Sequence, residues 1–390
     1  MNAPNNHPTK RTADIVIIGG GVMGVSTAYH LAARGVKNIV LVEKDEFFGT
    51  GATGRCAGGV RYQFGTEVNI RLSQASLPML ERFEEEIGYP IDYRKCGYLF
   101  VLTNEADVEA FRRNVALQRS LGVETEWLDG DEIRRRLPMM RFDDALAGTF
   151  GPKDGLVDPN GVVMGYLKAA QRLGVQALSE AEVTGFTIKG GRLQGVQTTQ
   201  GEIAAPVVVN AAGPWAGVIG QMAGVDVPIT PLRRQWLTTT PLPEIPSDFP
   251  FVIDFAQSLY FHREGDGLLT GMSNPHETPG FNQNVDLDWE LTHMEAAIER
   301  MPLLERAGAV SRVAGLYEVT PDAHPIFGPT PLEGFYLLAG FSGHGFMHGP
   351  IAGQLMAEII LDGSARSVDV SMLDLARFAE GRLIREYNVV

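Results

Sequence analysis

Three glycines near the start of the chain, Gly19, Gly21 and Gly24, have the GxGxxG spacing that suits the binding of a pyrophosphate. The first allows a tight turn, the second lets a phosphate approach the backbone, and the third lets a helix pack closely against a strand. Glu43 lies 19 residues after Gly24, where its carboxylate can accept hydrogen bonds from a ribose diol. Lys44 follows, but Glu43 would repel a 2′-phosphate, and the motif does not recur. The pattern predicts one dinucleotide with a free ribose; the alternative is a glycine-rich turn in an ordinary α/β unit.

The residues around this motif have the pattern of a strand, a turn, a helix and a second strand. Residues 14–18 and 38–42 are short apolar runs, and residues 22–33 between them have a helical pattern. Such a βαβ unit implies parallel strands in a buried sheet. Residues 15–33 carry no charge and are long enough to span a membrane. Three successive glycines would interrupt that helix, so we favour the βαβ unit.

The remaining elements follow from periodicity and from turn residues. Helices are predicted near residues 68–87, 107–121, 131–137, 160–173, 288–300 and 346–361. Strands are predicted across residues 175–209 and 230–272, with hairpin turns at 190–191, 200–201 and 265–267, and at residues 313–319 and 335–339. No repeat or low-complexity linker separates these segments, which indicates domains interleaved along the chain.

The composition restricts the class of protein. A chain of 390 residues with 44% hydrophobic and 21% charged residues is typical of a soluble protein of two or three domains. The net charge of -14 argues against nucleic acid as a partner. Cys56 and Cys96 have no metal-ligand spacing, so neither a metal site nor a disulfide framework is expected. Residues 1–13 are predicted to form a flexible tail without a secretory pattern. We expect a cytoplasmic protein without a transmembrane segment.

Five segments of the chain together carry a family resemblance. They are GGGVMG with Glu43, GTGATGRCAGGVRYQ at 49–63, DGLVDP at 154–159, VVNAAGPWAG at 208–217, and GLYEVTPDAHPIFG with GFSGHGF between 315 and 346. In this order they resemble the FAD-dependent amine and amino-acid oxidoreductases of the D-amino-acid-oxidase superfamily, in particular sarcosine oxidase, glycine oxidase and the dimethylglycine and proline dehydrogenase β-type subunits.

The resemblance implies an α/β (α+β) fold with two domains. One is a Rossmann-like FAD-binding domain that contains the GxGxxG βαβ unit, and the other is a substrate domain with a large mixed antiparallel sheet. The FAD-binding domain is expected to be discontinuous, with residues 14–87, 152–225 and 324–390. Residues 88–151 and 226–323 are expected to form the substrate-binding domain.

The resemblance also implies which residues bind FAD. Small residues in the segment at 49–59 suit a chain that passes close to the pyrophosphate. Glycines before the helix at 346 would place N–H groups at the flavin N1/O2 edge. His344 in that turn has two interpretations, a functional histidine or one that is hydrogen-bonded in a packed turn. The residues assigned to FAD are Gly19, Gly21, Val22, Met23, Gly24, Glu43, Lys44, Thr50, Ala52, Thr53, Arg55, Cys56, Ala57, Gly58, Val183, Ala211, Ala212, Gly213, Trp215, Gly343, His344, Gly345, Phe346 and Met347.

The substrate side needs a cation for a carboxylate, and arginine provides a planar fork for it. Arg61 is the first candidate by resemblance, and a structural ion pair is the alternative. Tyr317 is similar to the family's aromatic residue at the flavin face. Tyr260 and His262 share one face of a strand expected to line the pocket, although core packing would explain both. Arg234 is interpreted as ordering the sheet.

Several positions depart from the family pattern. Met347 stands where sarcosine oxidase has a carboxylate-binding lysine, and Leu269 stands where oxidases carry the lysine that promotes reaction with oxygen. We therefore expect a dehydrogenase or a slow oxidase. Gly315 and Arg55 occupy the places of the cysteine and histidine that link flavin covalently in relatives, so non-covalent FAD is expected. Cys56 is interpreted as a buried structural cysteine.

The predicted activity is oxidation of the C–N bond of an amino acid or a secondary or N-methyl amine to an imine, by hydride transfer to flavin N5. The catalytic candidates are Arg61, Tyr317, His262, Tyr260 and His344. An electron-acceptor protein or a partner subunit is a further expected partner, besides the small-molecule substrate. The alternatives are oxidation of a 2-hydroxy acid on the same scaffold, or a flavoprotein subunit or assembly factor with structural FAD.

Overall fold

A computed structural model describes residues 11–389, and two large sheets dominate it. The strands are β1 (Arg11–Thr12), β2 (Ile15–Ile18), β3 (Ile39–Val42), β4 (Gly59–Val60), β5 (Tyr98–Leu102), β6 (Glu126–Asp129), β7 (Ala147–Gly151), β8 (Gly155–Leu156), β9 (Gln176–Leu178), β10 (Val183–Lys189), β11 (Arg192–Thr198), β12 (Gly201–Ala204), β13 (Val207–Asn210), β14 (Thr230–Thr239), β15 (Phe251–Asp254), β16 (Leu259–Glu264), β17 (Gly267–Met272), β18 (Ala309–Val319), β19 (Ile326–Pro329) and β20 (Phe335–Ala339). The α-helices are α1 (Val22–Ala33), α2 (Glu67–Glu81), α3 (Phe83–Ile87), α4 (Glu105–Ser120), α5 (Gly130–Arg136), α6 (Pro159–Arg172), α7 (Ala216–Met222), α8 (Leu287–Arg300), α9 (Gly345–Asp362) and α10 (Ala376–Ala379).

The first sheet has six strands in the order β19-β20-β13-β2-β3-β9. Strand β2 pairs in parallel with β3 and β13, and β13 pairs in parallel with β20. Both faces are covered: Ile15 and Ile17 of β2 belong to one buried cluster, and Val16 and Ile18 belong to another. Helix α1 begins directly after the glycine turn and packs against α6 and α9. The predicted Rossmann-like βαβ unit is therefore confirmed.

The second sheet has eight strands in the order β18-β14-β17-β16-β15-β5-β7-β6. It is mixed, because β15 pairs in parallel with β5 and the other pairs are antiparallel. This is the large mixed sheet that the resemblance implies. Its strands lie between residues 98 and 151 and between 230 and 319, whereas the six-stranded sheet uses residues 15–42, 176–210 and 326–339. The partition into two domains at the stated boundaries remains a prediction.

Three differences between the observed and the predicted elements bear on how the chain is organised. The helix predicted over 68–87 is divided at Arg82 into α2 and α3. Strands β5, β6 and β7 were missed, since short apolar runs between helices become strands only through pairing with distant strands. Residues 11 and 12, assigned to the flexible tail, form β1 and pair in parallel with Ile203 and Ala204. Residues 1–10 of the predicted tail lie outside the described residues.

The uncharged run over 15–33 is divided between β2, the glycine turn and α1. Across residues 11–389, none of the helices combines the length and the apolar character needed to cross a bilayer.

Candidate cofactor and substrate cleft

A long cleft lies where the first sheet meets the second. One part is bordered by the carboxyl ends of β2, β3 and β13 and by the loop at 51–59. Another part is bordered by β5, β14, β15, β16 and β18 of the second sheet, and by the turn that leads into α9. The cleft thus joins the glycine motif near the chain start to residues more than 300 positions away.

The glycine motif requires its glycines for steric reasons. Gly19 has a φ of +109°, and a Cβ there would lie 2.3 Å from the carbonyl oxygen of Ala211. A Cβ at Gly24 would lie 1.8 Å from the carbonyl oxygen of Gly19, so Gly24 supports helix packing and does not border the cleft. Gly21 provides no side-chain cap for α1, and Thr53 Oγ1 accepts a hydrogen bond from Val22 N at 3.2 Å. The other first-turn N–H groups lack intrahelical partners and suit an anion.

Glu43 at the end of β3 is held in place by two backbone donors. Gly20 N donates to Oε2 at 2.7 Å, and Asp45 N donates to Oε1 at 2.9 Å. The carboxylate keeps lone pairs that a ribose diol can use. Lys44 Nζ lies 4.3 Å from the ring centroid of Trp215 and 2.8 Å from Asp45 Oδ1. The neighbouring lysine is therefore already paired, which agrees with a ribose that carries no phosphate.

The turn before α9 presents a second helix N-terminus to the cleft. Gly343 has a φ of +98°, and a Cβ there would lie 2.3 Å from Cε2 of Tyr317. Helix α9 begins at Gly345 without a side-chain cap. His344 is 2% exposed, and neither ring nitrogen has a hydrogen-bond partner among the described residues. Burial lowers the pKa of His344 well below its ordinary value, and the charge of the nearby Arg61 acts in the same direction, so its ring is neutral.

Most residues assigned to FAD border this cleft. The exceptions are Gly24, which packs behind the loop, and Thr50, whose hydroxyl donates to Phe47 O at 3.1 Å. The cleft has two uncapped helix N-termini, a fixed carboxylate at a strand end and glycines that admit no Cβ. Together these features fit a dinucleotide the size of FAD. Cys56 was expected to be buried but is half-buried at the cleft wall; desolvation there raises the pKa of its thiol to about 12, so the thiol stays protonated.

The second part of the cleft has aromatic walls. Tyr98 and Phe251 stack with ring centroids 4.2 Å apart, and Tyr260 lies 5.7 Å from Phe251. Tyr317 and Trp236 complete the lining. Among these, sequence reasoning singled out Tyr260 and Tyr317 only, because Tyr98 and Phe251 lie on strands that face the cleft through non-local pairing. Such walls exclude water from a ligand.

His262 does not border the cleft, although alternation correctly places it on the same strand face as Tyr260. Its Nδ1 lies 3.0 Å from Arg263 O, and its ring centroid lies 5.0 Å from that of Phe251. Burial lowers its pKa to about 4. The core-packing interpretation is the one that the geometry supports for His262.

The two candidate arginines are arranged differently from the expectation. Arg61 borders the cleft as expected, but it is only 6% exposed, and its guanidinium donates to the carbonyl oxygens of Gln63 and Asn388. Arg234, interpreted from sequence as ordering the sheet, borders the cleft with its guanidinium 5.1 Å from the ring centroid of Tyr317. The orientation of β14 places it there, and no sequence signal distinguishes it from its neighbour.

Of the positions that depart from the family pattern, Gly315, Arg55 and Met347 border the cleft, and Leu269 does not. A Cβ at Gly315 would lie 2.8 Å from Cβ of Arg55, whose Nη1 donates to Ala314 O at 2.8 Å. Met347 borders the cleft in the first turn of α9. Leu269 is buried and lies opposite His262 on β16.

Glu318 is a buried carboxyl group in the cleft that the sequence did not single out. Its Oε1 accepts from Phe341 N at 3.2 Å, and Oε2 has no partner among the described residues. Burial raises its pKa to about 7, and backbone donors at Gly340 and Phe341 only partly oppose this. Tyr317, the adjacent residue, is expected to face the flavin, and alternation along the strand then points Glu318 to the other face. No sequence pattern therefore singles out Glu318.

We expect Glu318→Gln to stabilise the FAD-free protein in a pH-dependent way. Because the folded pKa is raised from 4.5 to about 7, the folded state binds the proton more tightly, and stability is lost as pH rises through this window. The gain of the variant over wild type should therefore grow from pH 4.5 to 8, up to about 3 kcal/mol. Urea unfolding at several pH values measures it. The exposed Glu305→Gln is the matched control, and an equal gain at every pH would contradict the prediction.

The chain is similar in sequence and structure to several known proteins. Residues 14–359 match the family model described as FAD dependent oxidoreductase, abbreviated DAO. The chain is 34% identical to the mitochondrial sarcosine dehydrogenase of Homo sapiens, over 96% of this chain but 42% of that protein. It is 28% identical to sarcosine oxidase subunit beta of Arthrobacter sp., over 98% of this chain and 95% of that one. The crystal structure of L-proline dehydrogenase from P. horikoshii superposes with a TM-score of 0.89 at 32% identity, over 97% of this chain and 100% of that chain. The chain thus spans less than half the length of the mitochondrial relative.

Proposed function

Because the chain belongs to the family of FAD-dependent oxidoreductases, we propose that it oxidises the C–N bond of an amino acid or a secondary or N-methyl amine to an imine. The observation that carries this proposal is the aromatic pocket with an arginine at its wall, next to the turn into α9. The relatives named for sarcosine and L-proline act on substrates of this kind and support the same class.

The chain's own residues bind and orient the reactants. The glycine turn, Glu43 and the N-termini of α1 and α9 would hold FAD, which when bound accepts a hydride from the substrate carbon that is bonded to the nitrogen. The nitrogen lone pair then forms the C=N bond, and water hydrolyses the imine. Tyr260 and Tyr317 hold the substrate in a space that excludes water, and the neutral ring of His344 adds no charge there. Positioning is the main contribution of the protein.

Anaerobic mixing with a substrate panel tests this proposal. The FAD-loaded protein is mixed with sarcosine, dimethylglycine, L-proline and glycine, and with 2-hydroxy acids of the same size. We expect at least one amine to bleach the visible flavin absorption and the hydroxy acids to leave it unchanged. Bleaching by the hydroxy acids alone, or by none of the compounds, would refute the proposed C–N oxidation.

Slow reaction with oxygen is expected as part of this function. A buried cation stabilises developing superoxide, and the apolar side chain of Leu269 cannot replace it. The substrate-reduced protein should therefore pass electrons faster to an artificial acceptor such as phenazine methosulfate than to air. Stopped-flow mixing with air-saturated buffer measures the rate. Reoxidation by oxygen as fast as by the dye would contradict a dehydrogenase.

We expect FAD to be bound without a covalent link. Neither Gly315 nor Arg55 offers a nucleophile for attachment to the flavin. Acid precipitation should release yellow FAD into the supernatant. A yellow pellet would contradict non-covalent binding.

The partner and the compartment form the last part of the proposal. An electron-acceptor protein or a partner subunit would complete the reaction, and the relative named sarcosine oxidase subunit beta supports such an arrangement. A cytoplasmic location is the other part of this proposal. Co-purification of a tagged chain from its own cells, followed by mass spectrometry, tests the partner.

A further inference from the structure

Arg61 is occupied by a segment from the far end of the chain. Its guanidinium donates to Asn388 O and to Gln63 O, and it lies 3.9 Å from the ring centroid of Phe64. Asn388 Oδ1 in turn accepts from Asn114 Nδ2 at 2.8 Å. Two of the five N–H donors of Arg61 are thereby directed to carbonyl groups of the chain.

The segment at 386–389 is firmly anchored. The carboxylate of Glu386 accepts from Gly65 N at 2.7 Å, Thr66 Oγ1 at 2.7 Å and Asn69 Nδ2 at 3.0 Å. This carboxylate lies at the N-terminus of α2 and positions the residues that follow it. Val389 then reaches the cleft wall. Arg61 therefore serves to hold an end wall of the pocket.

Arg234 has the opposite arrangement. Its Nη1 donates to Arg233 O at 3.0 Å, and its buried Nε has no partner among residues 11–389. No carboxylate of the described residues lies within ion-pair distance of it, whereas the adjacent Arg233 pairs with Glu277 and Asp286 at 3.0 Å each. A partly buried cation without an anion is unfavourable unless a ligand provides one.

The surroundings of Arg234 suit a small anionic group of a ligand. Arg234 lies opposite Gly315 on β18, so no side chain covers it from there. Tyr317, two residues further along β18, shares that face and lies beneath the guanidinium. A planar fork over an aromatic wall suits a carboxylate bound through two hydrogen bonds.

We propose that Arg234 binds the carboxylate of the substrate, and that Arg61 is a positioning residue that anchors residues 386–389. The substrate is then an α-amino acid with a free carboxylate, and its amide or ester is rejected. The inference rests on the proposed function for the identity of the substrate, but binding of a carboxylate can be measured without turnover.

The test uses pyrrole-2-carboxylate and its neutral amide, pyrrole-2-carboxamide, with the FAD-loaded protein. Binding is followed by calorimetry and by the change in visible flavin absorption. Wild type should bind the carboxylate at least about tenfold more tightly than the amide, since a charge-assisted pair is lost in the amide. Arg234→Met should abolish this preference and leave the amide affinity unchanged, and Arg234→Lys should restore part of it.

Two controls separate Arg234 from its surroundings. Arg233→Met changes the neighbouring arginine on the same strand and should keep the full preference. Arg61→Lys should lower the melting temperature and also keep the preference. Retention of the preference in Arg234→Met, its loss in Arg61→Lys, or a wild type that does not distinguish the two probes would each overturn the inference. Carboxylate binding that depends on Arg234, without reduction of the flavin by any amine, would uphold it and refute the proposed function.

Discussion

Gly19→Ala is expected to yield a protein without bound FAD. The new Cβ would lie 2.3 Å from Ala211 O and 3.0 Å from Cα of Ala212, and both neighbours are backbone atoms of the adjacent parallel strand end. The φ of +109° is also one that alanine rarely adopts, which adds strain of roughly 1–3 kcal/mol. To relieve the clash and the backbone strain, the loop that would face the pyrophosphate must move. FAD binding should then be lost, and the purified variant should be colourless.

The ratio of absorbance at 450 nm to that at 280 nm after purification in excess FAD measures cofactor content. Gly308→Ala is the matched control, because its Cβ would lie 3.4 Å from Thr240 Cγ2 in ordinary contact and far from the cleft residues. Circular dichroism distinguishes loss of cofactor from loss of fold. A folded Gly19→Ala protein with the full flavin content would contradict the assignment of this loop.

Arg377→Met is expected to destabilise the whole protein by about 3–5 kcal/mol, because it leaves a buried carboxylate without its cation. Both side chains of the Arg377–Asp322 pair are 0% exposed. Arg377 donates to both oxygens of Asp322, at 2.8 and 3.0 Å, and also to the carbonyl oxygens of Leu373, Asp374 and His324. Loss of the guanidinium would also remove a donor from each of these carbonyl groups.

Denaturant unfolding monitored by circular dichroism measures this loss. Arg382→Met is the matched control, since Arg382 lies five residues further on and pairs with Asp374 and Glu380 at the surface, where solvent screens the charges. The control should unfold close to wild type. Equal destabilisation of the two variants would show that the buried pair has no special role.

The pair also connects two parts of the chain that the site needs. Asp322 belongs to the segment between β18 and β19, and its neighbour Thr320 contacts the turn at Ser342 through a hydrogen bond from Thr320 N to Ser342 Oγ at 3.1 Å. Release of Asp322 should therefore disturb the turn into α9 as well as the fold. We expect the flavin content of Arg377→Met to fall together with its stability.

The sequence by itself determined the family, the fold class and most of the residues at the cofactor part of the cleft. The match over residues 14–359 confirms the family resemblance, which rested on five segments. The glycine motif could be interpreted because its physical requirements are local: a tight turn, a helix N-terminus and a strand end with Glu43 lie within 25 residues. The same holds for the turn into α9.

Only the tertiary structure decided the substrate side. Arg61 and Arg234 are both arginines near family motifs, and their difference depends on Asn388, which is 327 positions from Arg61. Tyr260 and His262 share a strand face, yet Tyr260 borders the cleft and His262 packs against Phe251 outside its lining. Glu318 is buried without a full set of partners because the loop at 340–342 closes over it. Each outcome depends on contacts between residues distant in sequence, which residue type, spacing and alternation do not encode.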